Sequence, residues 1–267
     1  MHFRFIARRL AAAVLAVVAL SSLAVAAESA SDLAAALRAK EEGSTFVRVR
    51  MQTGENQILQ LQIKSRVSNA TSDIVYQVLF PKERKGEAVL LHRSGEKFSG
   101  TTFTLPDTVK PIGSGQMNQP LFGSDLSYED IIDNPFRWTR QTIVGTEAID
   151  NIQYQILESK PGKGHSSSYS SVKAWVDSRR LVPLRIEKYD GSGKVVRRIN
   201  ITRVLLDGND SLPADLKVYG PRGTVTEITG SRIKRAVTYG DTQFTPDGLK
   251  QLSAPRVRLV IEQPAQN

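Results

Sequence analysis

Four carboxylates close together are the first candidates for chemistry in this chain. Asp125, Glu129, Asp130 and Asp133 lie in or just after the string LFGSDLSYEDI, residues 121–131. A pair of carboxyl groups can act as general acid and base, as in glycoside hydrolysis. The enzymatic interpretation of this stretch is therefore a hydrolase that uses paired carboxylates.

The same residues also fit the start of a short helix. With Ser127 as the N-cap, Tyr128, Glu129 and Asp130 take the first three helical positions. The Ser127 hydroxyl can accept from the Asp130 amide while the Asp130 carboxylate reaches back, as in a capping box, and acids suit this end of a helix. Pro135 then ends the helix. Because capping accounts for these residues together, the sequence favours a structural role over catalysis.

Other catalytic and metal-binding patterns are weaker. His92 lies in a strand pattern and His165 in a serine-rich loop, without the spacing of metal ligands. The triplets at 113–115 and 123–125 lack the nucleophile elbow of a serine hydrolase, and residues 191–194 lack the spacing of a phosphate-binding loop. We therefore expect no catalytic residue, no metal and no cofactor.

The first residues have the pattern of a secretory signal peptide. Arginines precede an apolar run over residues 10–20, which is too short to span a bilayer, and Ala24-Val25-Ala26 offers a small-residue cleavage site. The chain has no cysteine, which excludes disulfides and lipid attachment at a cysteine. We expect residues 1–26 to be removed and residues 27–267 to form one periplasmic domain.

Basic residues outnumber acidic ones but are scattered. The formal charge of +9 falls to +6 without the three arginines of the signal peptide. The remaining basic residues are spread over several strand patterns, as in Arg48/Arg50, Arg197/Arg198 and Lys234/Arg235. A nucleic-acid-binding protein concentrates such residues among stacking aromatics, so we expect no nucleic-acid partner and interpret these residues as solvated sheet faces.

One helix and a long series of strands follow the signal peptide. Residues 32–42 have an amphipathic helical pattern that Gly43 ends. Apolar and polar residues then alternate around 47–51 and 59–64, and further strands are predicted at 74–80, 97–105, 142–149, 152–159, 170–177, 183–189, 194–206, 214–219, 224–230 and 232–238. This series predicts a mainly β fold, a single highly curved antiparallel meander that forms an open or half barrel.

The irregular stretch over residues 106–141 interrupts this series. A long insertion in a compact meander is usually functional or covers something. With its short helix, we expect it to cover the open side of the sheet as a lid, together with the N-terminal helix.

The string LFGSDLSYED resembles the signature of the outer membrane lipoprotein-sorting protein family, a branch of the LolA/LolB-like periplasmic lipoprotein carrier superfamily. The signature residues in this chain are Gly123, Ser124, Asp125, Ser127, Tyr128, Glu129 and Asp130. The strings VLFPKERKGEAVLL and AWVDSRRLVPLRIEKYDGSGKV are also similar to that family, and order and spacing agree over roughly residues 45–250.

The resemblance implies an incomplete antiparallel barrel whose apolar concave face holds acyl chains of a lipoprotein or lipid. In the classical carriers an arginine near the end of the second strand tethers the lid, and Arg66 falls at that place. The implied partners are an acylated lipoprotein or lipid, an inner-membrane transporter and an outer-membrane acceptor. Since the chain has no cysteine, it does not resemble the membrane-anchored receptor member.

The candidate lipid-contacting residues are alternate strand residues and apolar residues of the insertion. They are Val47, Val49, Met51, Leu59, Leu61, Ile63, Trp175, Phe122, Ile131 and Trp138. Any folded meander must bury such a stripe, so the same residues also fit a plain core. Besides the carrier, three functions stay open at this point: an envelope lipid or stress sensor, an accessory protein of a lipid-exporting transporter, and a carboxylate hydrolase. A structural β protein with a filled interior is a further alternative.

Overall fold

A computed structural model of the chain describes residues 30–149, 152–221, 223–230 and 233–252. The predicted signal peptide, residues 1–26, lies outside the described residues. Within the described ranges, no helix has both the length and the apolar character needed to cross a membrane.

Strands dominate the described part of the chain. They are β1 (Gly43–Thr53), β2 (Gln57–Val67), β3 (Thr71–Phe80), β4 (Ala88–Ser94), β5 (Lys97–Thr104), β6 (Thr108–Ile112), β7 (Arg140–Ile149), β8 (Ile152–Lys160), β9 (Ser171–Asp177), β10 (Val182–Tyr189), β11 (Val195–Asp207), β12 (Asp210–Tyr219), β13 (Val225–Gly230) and β14 (Lys234–Arg235). Two α-helices accompany them, α1 over residues 30–41 and α2 (Tyr128–Ile132). Single 3-10 turns occur at Lys82–Arg84, Ser114–Gln116, Leu121–Gly123, Pro135–Arg137, Asp241–Phe244 and Gly248–Lys250.

All these strands pair into one antiparallel sheet that does not close into a barrel. The strand order is β6-β5-β4-β3-β2-β1-β13-β12-β11-β10-β9-β8-β7, and β14 pairs with β1. The half barrel predicted from the alternating pattern is therefore confirmed. Because β6 and β7 follow each other in the chain but form the two edges of the sheet, the segment between them must run from one edge to the other.

That segment is shorter than the sequence predicted. The first part of the predicted insertion, 106–141, forms strand β6, which pairs with β5 through residues such as Val109 opposite Phe103. The prediction missed this strand because Pro111 falls within it, and proline within a strand is found mainly at sheet edges, as here, or at bulges. We call residues 113–139, which connect the two edges, the inner cover.

The strand alternation gives the sheet two distinct faces. Pairing places Val49 opposite Leu61 and Met51 opposite Leu59, so these side chains share one face, which we call the inner face. Their cluster extends across β3, β11, β12 and β13, because the same alternation continues in each strand. The inner face is therefore a continuous apolar surface near the middle of the sheet.

Helix α1 covers the inner face of β8 and β9. Its Leu33, Ala34 and Leu37 pack against Leu157 and Ala174, as the predicted amphipathic pattern requires. The helix ends before Gly43, whose φ of 112° lets the chain turn into β1.

The outer face is covered near β2–β5 by residues 236–252, which we call the outer cover. Its Phe244 and Leu249 pack against Val75, Leu90 and Phe103, which alternate with the residues of the inner face. The sheet is thus covered on both sides, by segments of different composition.

Candidate functional site

The predicted lipid-contacting residues of β1 and β2 form the floor of the inner face. Met51, Leu59 and Leu61 are almost fully buried, and Val49 lies in the same cluster. Val47 and Ile63 are half-buried and pack against it. The sequence therefore identified correctly which alternate residues share one apolar face.

The inner cover fills the space above this floor. Leu126 belongs to the buried cluster, and Phe122 packs against it. Leu121 and Ile132 pack with Leu91 of β4, where Ile131 and Tyr128 also contribute. Side chains of the cover therefore occupy the place over these residues where the resemblance implied bound acyl chains.

A sharp turn presents Phe122 to the inner face. Phe122 and Gly123 both have left-handed backbones, with φ of 50° and 84°. Such a φ is unfavourable for phenylalanine, and the Gln57 side chain helps to hold the turn by donating to the Phe122 carbonyl at 2.5 Å. Gly123 of the signature is required here by its backbone conformation.

Asp125 attaches the inner cover to β13. Its carboxylate accepts from the hydroxyls of Thr224 at 2.6 Å and Thr226 at 2.9 Å, and its own amide donates to Thr226 Oγ1 at 2.9 Å. The carboxylate lies directly on Gly220, where a Cβ would be 2.4 Å from Asp125 Oδ1. Asp125 is therefore a buried anchor beneath the cover.

Ser127 caps α2 as the sequence predicted. The Asp130 amide donates to Ser127 Oγ at 3.1 Å, and the Ser127 amide donates to Asp130 Oδ2 at 2.7 Å. This reciprocal pair is the predicted capping box, with aspartate in the position that glutamate usually takes. Ser124, just before it, is buried and accepts from the Leu126 amide at 3.2 Å.

Asp130 also makes the strongest contact between the inner cover and the sheet. Its side chain is fully buried and forms ion pairs with Lys188 of β10, at 2.8 Å, and with Arg197 of β11. The Tyr169 hydroxyl donates to its Oδ1 at 2.8 Å. Burial alone would raise the pKa of Asp130, but the two cations outweigh that effect and hold the pKa below its usual value.

Glu129 and Asp133 attach the inner cover to the loop between β8 and β9. Glu129 accepts from the hydroxyls of Ser167 and Ser168, each at 2.5 Å. Asp133 accepts from Trp138 Nε1 at 3.0 Å and from His165 Nε2 at 3.1 Å. The hydrogen bond to Asp133 raises the pKa of His165, although burial acts in the opposite direction.

The four acids therefore hold the inner cover at three places. Asp125 binds β13, Glu129 and Asp133 bind the β8–β9 loop, and Asp130 binds β10 and β11. Chemically, this arrangement can hold a segment in place over an apolar face. Within the described ranges, no group of three or more His, Asp or Glu residues has the arrangement of a metal site.

Two of the candidate residues, Trp175 and Arg66, lie on the outer face of the sheet. Trp175 alternates with Ala174 and Val176 of the α1 cluster, so it lies on the outer face, where it donates to Glu147 and stacks under Arg185. Trp138, in contrast, is buried on the inner side against Tyr169 and Val172.

Arg66 also lies on the outer face. It forms an ion pair with Asp73 at 2.8 Å and its guanidinium lies 4.9 Å from the ring of Phe244, in the outer cover. The expected lid-tethering role of Arg66 is therefore wrong, because strand alternation directs its side chain away from the inner cover.

Lys188 and Arg197 are the tethering residues that the sequence analysis missed. Arg197 was interpreted as part of a solvated sheet face, but its side chain is only 12% exposed, whereas that of Arg198 is 48% exposed. Arg197 shares its face with Ile199, and Lys188 shares its face with Ile186. The sequence did contain one indication of these tethering residues: each is a basic residue at a strand position where the alternating pattern predicts an apolar, inward-facing side chain.

Comparison with known proteins agrees with this architecture. A family model described as "Uncharacterized protein" matches residues 71–251. A comparison with curated proteins gave no match. Among solved structures, a DUF1329 family protein from Desulfovibrio piger aligns with a TM-score of 0.78 at 21% identity, covering 84% of this chain and 99% of that chain.

Two further structures share the fold. A domain assigned to outer membrane lipoprotein sorting, from Vibrio parahaemolyticus, has a TM-score of 0.76 at 20% identity and covers 84% of this chain and 100% of that chain. A LolA superfamily protein from Nitrosomonas europaea has a TM-score of 0.64 at 21% identity, covering 84% and 99%. The chain belongs to the family whose model matches its residues 71–251, and it has the lipoprotein-sorting, LolA-like fold that its signature predicted.

Proposed function

We propose that this protein is a non-enzymatic carrier of the periplasm that binds acyl chains of lipoproteins or lipids on the inner face of its sheet. The inner cover acts as its lid. An acylated lipoprotein or lipid is the cargo, received from an inner-membrane transporter and passed to an outer-membrane acceptor. The export pattern of residues 1–26 and the fold shared with lipoprotein-sorting and LolA superfamily proteins support this assignment.

One observation carries the proposal: a segment attached through buried polar groups covers an apolar face. The floor of Met51, Leu59 and Leu61 is buried under Phe122 and Leu126 of the inner cover. If the cover lifts, an acyl chain can take the place of these two side chains, so the floor remains buried. Each methylene buried contributes about 0.8 kcal/mol, so one long chain provides the required affinity.

The polar attachments of the inner cover support its role as a lid. A segment that is fixed for good is best held by apolar packing, whereas buried ion pairs are geometrically exacting and are lost together when one partner moves. The ion pairs of Asp130 and the hydrogen bonds of Asp125 lie on opposite sides of Ser127. They therefore define one closed position of the cover, in addition to the apolar contacts that Leu121, Leu126 and Ile132 make with the sheet.

In this proposal the acids hold the inner cover and take no part in a hydrolytic reaction. Asp125 and Asp130 are both buried and accept hydrogen bonds from neighbouring elements, and Lys188 and Arg197 hold Asp130 ionised. A general acid needs a raised pKa, whereas the pKa of Asp130 is lowered. The paired-carboxylate hydrolase thus lacks a proton donor at this position.

A reversible lock on the inner cover tests the proposal directly. The chain has no cysteine, and the Asp125 amide lies 2.9 Å from Thr226 Oγ1, so Asp125→Cys with Thr226→Cys can form a single disulfide. We expect the reduced protein to bind a fluorescent long-chain fatty acid and the oxidised protein to bind it at least about tenfold more weakly. The wild type, under the same two redox conditions, is the control.

Three outcomes contradict the proposal. Equal binding by the oxidised and reduced forms would show that the inner cover is not a lid. Absence of binding in the wild type, with no lipid in mass spectra of the gently purified protein, would show that the protein is not a lipid carrier. Turnover of an acyl ester that Asp125→Asn abolishes at unchanged stability assigns the acids to a hydrolase instead. A stoichiometric protein partner in place of lipid favours a sensor.

A further inference from the structure

Three arginines meet at the rim of the inner face. A cleft of about 190 Å³ is lined by Arg38 of α1, Arg93 of β4 and Arg137 of the inner cover, next to Trp138 and His165. This cleft is separate from the Asp130 ion pairs, and none of the roles described so far uses its arginines.

Arg93 is buried and forms no ion pair with a carboxylate of the described residues, although Asp133 and Glu41 act on its charge at longer range. It is only 4% exposed, and its terminal nitrogens donate to the carbonyls of Ser68, Ala70 and Gly95 and to Ser72 Oγ. All of these acceptors are neutral. Its Nε is buried and has no hydrogen-bond partner, which is a costly state for a charged group.

Arg137 adds a second guanidinium to the same place. It donates to the carbonyl of Ser68 at 3.1 Å, which Arg93 also contacts at 3.1 Å, and to the carbonyl of Asn69 at 2.9 Å. Burial lowers the pKa of both arginines; Arg137 adds to this effect on Arg93 and Arg38 adds to it on Arg137, while Glu41 acts in the opposite direction on both. Arg93 and Arg137 thus lie side by side, and the direct hydrogen-bond acceptors described for them are neutral.

The acids near this cleft are occupied or exposed. Asp133 accepts from Trp138 and His165, as described above, and Glu41 accepts from Asn134 Nδ2 at 2.5 Å. Glu96 lines the cleft but is exposed. They reduce the positive field without forming an ion pair with Arg38, Arg93 or Arg137 among the described residues.

We propose that this cleft binds an oxyanion of the phosphate type between the guanidinium groups of Arg38 and Arg137, with the buried charge of Arg93 behind them. Arginine forks match the oxygens of a phosphate group, and charge-assisted hydrogen bonds are the strong ones. The same chemistry is offered by the phosphate of a lipid headgroup and by free phosphate.

The location suits a headgroup if the proposed function holds, on which this part of the inference rests. Trp138 lines the cleft and packs with Ile186, which also contacts the apolar floor. An acyl chain on the floor would therefore place its phosphate at the rim, between α1 and the inner cover.

Titration with inorganic phosphate at constant ionic strength, with chloride as the reference salt, tests the site by calorimetry and by the shift in Tm. We expect saturable binding that weakens at least about tenfold in Arg137→Gln and in Arg38→Gln. The exposed Arg50→Gln makes the same charge change on β1 and is expected to leave binding unchanged. Because Arg93→Gln disturbs a buried residue, its folding is checked by circular dichroism before its binding is interpreted.

Phosphate binding that is absent, no stronger than chloride, or unaffected by Arg137→Gln and Arg38→Gln overturns the inference. Competition between inorganic phosphate and dihexanoyl phosphatidate, with dihexanoylglycerol as the uncharged control, identifies a headgroup site, and binding of phosphate alone identifies a free-phosphate site. A protein that binds the fatty-acid probe but neither phosphate compound overturns only this inference. One that binds phosphate but no fatty acid supports the cleft and overturns the carrier.

Discussion

The two covers of the sheet are held in different ways. The inner cover is attached through Asp125, Glu129, Asp130 and Asp133, and its central contact is the buried ion pairing of Asp130. The outer cover is attached mainly by apolar packing of side chains such as Phe244 and Leu249.

The polar contacts of the outer cover are mostly neutral. Gln77 donates to the carbonyls of Leu249 and Gln251, each at 3.0 Å, and Lys64 donates to Gln243 Oε1 at 2.8 Å. The ion pair between Lys250 and Asp107 is largely exposed, so it contributes little. The inner cover adds a buried charge network to its apolar packing, so one substitution at Asp130 leaves two cations unpaired, whereas the outer cover relies on apolar side chains such as Phe244 and Leu249.

The largest expected effect comes from neutralising the central carboxylate of the inner cover. Asp130→Asn leaves Lys188 and Arg197 buried without a partner, so we expect a loss of about 3–5 kcal/mol in the free energy of unfolding, or local opening of the inner cover. Urea denaturation and hydrogen exchange of residues 113–139 measure it. Asp210→Asn, which loses an exposed ion pair with Arg235, is the control and is expected to cost less than about 1 kcal/mol.

The outer cover is expected to lose stability without opening the inner face. Leu249→Ala removes a fully buried side chain from the outer cluster and is expected to cost about 2–5 kcal/mol. Hydrogen exchange in residues 113–139 and affinity for the fatty-acid probe are expected to stay at wild-type values. An increase in exchange of the inner cover in this variant would show that the two covers are coupled through the sheet.

A smaller effect is expected from removing the cap of α2. Ser127→Ala loses the bond from the Asp130 amide and is expected to cost about 1 kcal/mol, confined to the inner cover. Hydrogen exchange of residues 121–135 and the rate of probe release are expected to rise together. If the release rate is unchanged while exchange rises, α2 does not control access to the inner face.

The smallest effect is an opposite response of the two covers to pH. The pKa of His165 is raised by Asp133. Protonated His165 therefore stabilises the inner cover fully below about pH 6.5, and this stabilisation is lost as the pH rises through the folded-state pKa. Burial lowers the pKa of Lys64 to about 8, so the outer cover gains stability as the pH rises from there towards about 10.4.

Hydrogen exchange at pH 6, 7.5 and 9 measures this difference. We expect residues 113–139 to exchange faster with rising pH, after correction for the intrinsic rate, and residues 236–252 to exchange more slowly. His165→Gln is expected to flatten the first trend and Lys64→Met the second. Parallel trends in both covers, unchanged by these substitutions, would contradict the assignment.

The sequence alone determined the inner floor and the cap of α2. Alternation has a period of two, so Val49 and Met51 share one face of β1 and Leu59 and Leu61 share one face of β2, and the short turn between the two strands sets the register that joins these faces. The capping box of Ser127 and Asp130 spans three residues, so its geometry is local. These features need no long-range contact to be predicted.

Only the tertiary structure decided which residues hold the inner cover. Arg66 and Arg197 are both strand arginines; alternation indicates the face on which each lies, but the partner of each depends on strand order and curvature. Pairing of β1 with β13 places β6 and β7 at opposite edges, and the chain between them therefore crosses the inner face. That crossing brings Asp130 to Lys188 and Arg197, residues 58 and 67 positions away along the chain, because the curved sheet directs both cations inward.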